Sequence, residues 1–175
     1  MPDMSLILVV VILALTFDFI NGFHDTANAI ATCVSTRAIR PGVAIIGTAI
    51  LNFIGAMIST GVAKTIGGDI VMSPDLINEM VIISGLIGAI IWNIVTWWFG
   101  MPSSSSHALI GGMIGAVVIS AGTAALNDWG IIKIVLSLIL SPISAMVVGF
   151  VIMKLIFAIC HSYNSSLQLQ AASSR

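Results

Sequence analysis

The chain has 175 residues, of which 58% are hydrophobic and only 7% charged, and its net charge is −1. Mean hydropathy is +1.14. Soluble domains usually carry about 25% charged residues, so six basic and seven acidic side chains cannot coat a water-facing globule of this size, and most of the surface must meet lipid. No basic patch exists to argue for a nucleic-acid partner.

Residues 1–15 lack the basic start and small-residue cleavage site of a signal peptide, and read as part of a mature first helix. Five apolar segments follow, each set against the ~20 residues needed to cross the hydrocarbon. Residues 5–35 are long but interrupted by Asp18, Asn21, Gly22, His24, Asp25 and Asn28. Residues 43–63 form a plain span around Asn52. Residues 80–99 form another, ending in Trp97 and Trp98, an aromatic pair suited to a membrane interface. Residues 108–126 are glycine-rich. Residues 131–160 span with tilt, with Lys133 and Lys154 placed to snorkel. The loop 64–79, with Asp69, Asp75 and Glu79, is the sizeable polar connector.

The expected organisation is one transmembrane domain over 1–160 and a disordered polar tail over 161–175. Cys33 and Cys160 have no metal or redox spacing and read as small buried hydrophobes. Gly111/Gly115 and Ser84/Gly88 have the four-residue spacing that lets helices approach closely in lipid.

Two polar interruptions carry the chemistry. If 18–35 is helical, Asp18, Asn21, Asp25, Asn28, Thr32 and Ser35 follow steps of three or four and share one face. Such a stripe must face protein or water, and a carboxylate within it costs at least ~2.5–3.5 kcal/mol on insertion scales. Gly22 suggests a local break, whose carbonyls would help a carboxylate hold a cation. His24 points about 100° away from Asp25 and reads equally as a proton carrier or a structural histidine.

The second interruption is Gly100-Met101-Pro102-Ser103-Ser104-Ser105-Ser106-His107. Hydroxyls and free backbone N–H groups at a helix start form an anion site, aided by the helix dipole. The bland alternative is a serine cap at the water interface. A re-entrant element after Ser106 would carry that helix start into the membrane, where irregular backbone is tolerated if it lines a cavity. Neutral donors for an anion, beside an acid that holds H⁺ or Na⁺, make the chemistry of an anion–cation symporter.

Gly22-Phe23-His24-Asp25-Thr26-Ala27-Asn28-Ala29 resembles the Gly-x-Asn-Asp-x-x-Asn-Ala signature of the inorganic phosphate transporter (PiT) family, with His24 in place of the common Asn, as in its bacterial low-affinity branch. Pro102-Ser103-Ser104-Ser105-Ser106-His107 is similar to the family's second signature, and the resemblance covers nearly everything up to Cys160. It implies an all-α integral membrane fold with about four transmembrane helices, the first broken, plus a re-entrant helical hairpin. Together these form one of the family's two inverted repeats.

It also implies symport of inorganic phosphate with H⁺ or Na⁺ across the bacterial cytoplasmic membrane, the phosphate carried free or as a divalent-metal complex, without a cofactor. Carried over onto this chain, the phosphate ligands are Asp25, Asn28, Ser104, Ser105 and Ser106, and the candidates for cation or proton coupling are Asp25, Asn21, Asp18 and His24. Asp25 and Asn28 are the candidate pair for Na⁺, and no metal site is certain.

Family members carry two copies of each signature, whereas this chain has one of each. The chain therefore reads as a half-transporter that pairs with a second copy or another half, or as a truncated product. Asn52 also stands where some relatives place a glutamate, which leaves the coupling ion open. Two other classes compete with this reading. A serine hydrolase built on Ser105 or Ser106, His107 and Asp25 has the right residue types, but a serine next to its histidine at a helix start cannot readily aim at it. A channel or structural half-bundle without coupled transport is the other.

Overall fold

The computed structural model describes residues 4–58 and 70–173, with side chains described up to Cys160, that of Pro74 excepted. The order is α1 (Met4–Ser35), α2 (Pro41–Ile58), a 3-10 turn (Pro74–Leu76), α3 (Glu79–Trp98), α4 (Ser105–Ala121), a second 3-10 turn (Thr123–Ala125) and α5 (Asp128–Ser173). Four helices, Met4–Ser35, Pro41–Ile58, Glu79–Trp98 and Asp128–Cys160, are long and apolar enough to cross a membrane. The all-helical expectation holds. The end of the expected second span, the first part of the polar loop and its Asp69 lie outside the described residues.

α1 is one uninterrupted helix, so the break expected at Gly22 does not occur. Glycine weakens a helix by roughly 0.5–1 kcal/mol, less than the several kcal/mol that each unsatisfied backbone group costs in hydrocarbon. α1 ends instead at Arg37, the one non-glycine described residue with positive φ (58°). There the Ala38 N–H donates to the Cys33 carbonyl and the Arg37 N–H to Val34, a Schellman-type ending.

Two compact units are present, Met1–Ile131 and Ile132–Arg175. In the first, α3, expected as a plain span, and α4, the segment expected to be re-entrant, form an antiparallel hairpin. The early part of α3 (Val81, Ser84) borders the late part of α4 (Ala116, Ser120), while Trp92 borders His107 and Ala108. The helices touch at glycine. A Cβ on Gly112 would stand 2.4 Å from the Gly85 carbonyl oxygen, and one on Gly85 would stand 2.6 Å from the Met113 sulfur. Gly111 and Gly115 face open space. Of the two spaced pairs read from the sequence, Ser84/Gly88 does face α4, whereas on α4 the contact falls at Gly112, one residue on from Gly111, a rotation of about 100°.

An antiparallel bridge pairs Val71 with Leu126 at the open end of the hairpin, opposite the 99–104 connector. The Met72 N–H donates to Ala125 and the Asn127 N–H to Ile70, each at 3.0 Å. α1 lies along α3, with Phe17 packed on Leu86 and Ala89, and the Phe23 ring 5.8 Å from that of Trp97. These two contacts run in the same order along both helices, so α1 and α3 are parallel.

In the second unit α5 presents its apolar residues outward, and none of the described side chains from Val135 to Cys160 is buried. Lys154 reaches back over the Phe150 ring at 5.1 Å. The helical backbone of α5 continues to Ser173, across the stretch expected as a disordered tail. Leu, Gln and Ala in 167–172 are strong helix formers, which accounts for the difference. Both cysteines are free, and Cys160 is exposed rather than buried.

Candidate functional site

The site is assembled where α3 hands over to α4. Gly100, with φ of 63°, ends α3. Its N–H donates to Trp97, and that of Met101 to Thr96, a second Schellman-type turn. Pro102 cannot donate a backbone hydrogen bond and keeps the chain out of helix until Ser104. Ser104 adopts extended angles and caps α4, its hydroxyl accepting a long 3.5 Å bond from the His107 N–H. The serine run is thus a helix cap, as the bland reading had it, with one member taken into the interior. Ser105, the first helical residue, is 1% exposed. The N–H groups of Ser105 and Ser106 have no partner among the described residues, which leaves two donors at the positive end of the helix.

Opposite this helix start stands the polar stripe of α1. The Ser105 hydroxyl donates to the Asp25 carboxylate at 2.6 Å and makes a shorter contact with the Asn21 side-chain oxygen. One hydroxyl proton cannot serve two acceptors. Either the Asn21 amide is turned so that its NH₂ donates to Ser105, or Asp25 carries the proton; amide orientation is an assignment from the hydrogen-bond network. The Asp25 carboxylate is 46% exposed while the adjacent His24 is buried, with 3.6 Å between His24 Nδ1 and Asp25.

The stripe fans out rather than facing one partner. Asn21 and Asp25 meet Ser105. His24 and Asn28 line a cavity of about 210 Å³ with Phe23, Trp97 and the Gly100–Pro102 connector. Asp18 is turned toward α2, where with Gly22, Thr26 and Asn52 it lines a mostly apolar groove of about 570 Å³. Farther along, the Ser35 hydroxyl bonds the Thr32 carbonyl within α1, so these two serve the helix itself. Ser106 and Asn28 are exposed, and Ser104 is partly buried. Six of the predicted residues, Asn21, His24, Asp25, Asn28, Ser104 and Ser105, therefore gather around the α3–α4 handover, and Asp18 stands apart.

The hydrolase alternative lacks its geometry, because Ser105 engages Asp25 directly and His107 points away on the outer side of α4, lining a separate cavity with Trp92 and Gly88. Among the described residues no group of three or more His, Cys, Asp or Glu side chains is placed to hold a metal ion. One buried residue was missed by the sequence reading. Asn93, in the middle of α3, is fully buried with neither amide atom partnered among the described residues. A lone amide inside the apolar run 80–99 was the available signal.

This arrangement, a polar stripe of one helix closed by a serine-capped helix start, coincides with what related proteins are. Residues 21–173 match the PHO4 phosphate transporter family. The chain belongs to that family. It is 60% identical over 161 residues to a probable low-affinity inorganic phosphate transporter of Bacillus subtilis, an alignment covering 89% of this chain and 48% of that protein. It is 46% identical to a protein of the same description from Streptomyces halstedii, over 85% of this chain and 70% of the relative.

A solved structure described as the sodium-dependent phosphate transporter superposes with a TM-score of 0.78 at 32% identity, covering 87% of this chain and 39% of that one. The chain thus spans about half the length of the Bacillus subtilis relative and less of the solved structure. With bacterial relatives and four membrane-length helices, this family member is a multi-pass inner-membrane protein, and its kin are transporters rather than enzymes.

Proposed function

We propose that this chain supplies one half of a site that moves inorganic phosphate across the membrane by symport with H⁺ or Na⁺. The observation that carries the reading is the 2.6 Å bond from Ser105 to Asp25, which joins an anion-binding helix start to an acid in the membrane. Phosphate is received by Ser104, Ser105 and Ser106 with the free N–H groups of the α4 first turn, and by Asn28 from α1. Asp25 accepts a hydrogen bond from a P–OH of H₂PO₄⁻, or is neutralised by its coupling cation. Either arrangement selects protonated phosphate over more highly charged anions. Asn21 and His24 hold Asp25 in its setting, and Asp25 with Asn28 offers oxygens to Na⁺. Phosphate carried as a divalent-metal complex uses the same donors from the protein.

The second half of the site comes from a second repeat of the same kind, whichever chain carries it. Two features support that completion. Asp25 is 46% exposed, and Asp18 with Asn52 lines an open groove that lipid would not tolerate as a final surface.

The test is phosphate binding measured on each oligomeric species of the purified chain, followed by uptake in proteoliposomes. One phosphate per pair of chains, lost in Ser105→Ala, supports a shared site. No binding to any species would overturn the reading and leave a structural half-bundle. A flat pH dependence of uptake, after correction for phosphate speciation, would overturn the role of Asp25.

A further inference from the structure

Asn93 is fully enclosed, and neither its Oδ1 nor its Nδ2 has a hydrogen-bond partner among the described residues. A buried amide left in that state calls for a physical cause. At 0% exposure no water-sized space touches it, so neither an ordered water nor an ion from outside supplies the partner. The partner is a neighbouring side chain, and it has to donate as well as accept.

The packed layer one turn away shows which side chains share its level. Phe17 of α1, Leu86 and Ala89 of α3, and Ala108 and Leu109 of α4 pack together. α1 and α3 run parallel and α4 runs against them. One turn toward the connector therefore leads from Phe17 to Asn21, from Ala89 to Asn93, and from Leu109 back to Ser105. Ser105 touches Asn21 directly, which confirms the step on two of the three helices. The other hydroxyls nearby are taken. That of Thr96 is committed to the Trp92 and Asn93 carbonyls, and the Ser105 proton to Asp25. The Asn21 amide is the group at this level that still has both a donor and an acceptor to offer.

We propose that Asn93 pairs with Asn21, amide to amide, and is the positioning residue that turns Asn21 so that its NH₂ faces Ser105. Asn93 Nδ2 donates to Asn21 Oδ1. One Asn21 N–H donates to Asn93 Oδ1 and the other to Ser105 Oγ. Ser105 then keeps its own proton for Asp25, so the close Ser105–Asn21 contact and the two orphaned atoms of Asn93 have one explanation. Rotation of the two amides about their terminal side-chain bonds, a soft torsion, closes the pair. The inference goes beyond the transport reading and does not rest on it, because the contact lies within one chain.

The test uses the full chain in nanodiscs with ¹⁵N-labelled asparagine, the side-chain NH₂ signals of Asn21 and Asn93 being assigned with Asn21→Ser and Asn93→Ser. In the native chain a proton–proton cross-peak should join the two NH₂ groups. Asn93→Leu should remove it and shift the Asn21 signal, while leaving unmoved that of Asn78, which caps α3 at its other end. A missing cross-peak in the native chain, a cross-peak from Asn93 to water in its place, or an Asn21 signal unchanged by Asn93→Leu overturns the proposal. If Asn93→Leu does not fold, the native cross-peak and the Asn93 signal in Asn21→Ser decide it, since absence of the first or constancy of the second overturns it. Phosphate binding, read separately, reports on the transport reading alone.

Discussion

Replacing Gly112 with alanine tests the contact that sets the α3–α4 hairpin. The added Cβ would lie 2.4 Å from the Gly85 carbonyl oxygen, 3.3 Å from its carbon and 3.4 Å from the Ala89 nitrogen. All three are backbone atoms, so no side chain can swing away, and the helices must part by about 1 Å to restore ordinary contact. Overpacking of this kind costs typically 1–3 kcal/mol. Gly111→Ala is the control, because its Cβ meets nothing within 4 Å, and alanine in a helix interior gains roughly 0.5–1 kcal/mol over glycine. That gain is common to both positions, so the two neighbours should differ by about 1–3 kcal/mol, the overpacking cost at Gly112, with Gly111→Ala the more stable.

The assay is denaturant or thermal unfolding in micelles followed by far-ultraviolet circular dichroism. Phosphate binding should fall with stability. Ser105 lies two turns from Gly112 on the same helix, and its 2.6 Å bond to Asp25 leaves the usual O–H···O range after about 0.4 Å of movement. Equal stability for Gly112→Ala and Gly111→Ala would refute the close approach.

Ser105→Ala removes a hydrogen bond to a charged group, worth about 1.5–3 kcal/mol, so phosphate affinity should drop roughly 10- to 150-fold in isothermal titration; an unchanged affinity would detach Ser105 from the site. Gly100→Ala forces a side chain onto a φ of 63° and should cost about 1–2 kcal/mol, read as a lower unfolding midpoint. Gly22→Ala should be neutral or stabilising by up to about 1 kcal/mol, since α1 is unbroken and the position is open. A loss of stability there would reinstate a break.

Lipid leaves the backbone few choices, so most of the fold was legible in residue order. Runs of apolar residues have to become helices, because hydrocarbon offers no other partner for N–H and C=O groups. The motif around Asp25 and the serine run were equally legible, because polar groups in such a setting stand out by type alone. Element ends were less so. Helix α4 starts at Ser105 rather than at the first apolar residue, since a cap is chosen by backbone angles and hydrogen bonds that apolar runs do not encode.

What only tertiary structure decided is which polar groups meet. A helical stripe read from sequence places Asp18, Asn21, Asp25 and Asn28 on one side of α1. Packing then divides them among Ser105, the connector cavity and the α2 groove. The glycine contact between Gly85 and Gly112 and the enclosure of Asn93 likewise depend on helix rotation and register. A change of one residue turns a helix face by about 100°, and only the partner helix determines which face is buried. By itself the sequence determined that this is a helical membrane protein with an acid and a serine-capped helix start. That these two meet through one shared proton, Ser105 to Asp25, follows from the way α1 lies against the α3–α4 hairpin.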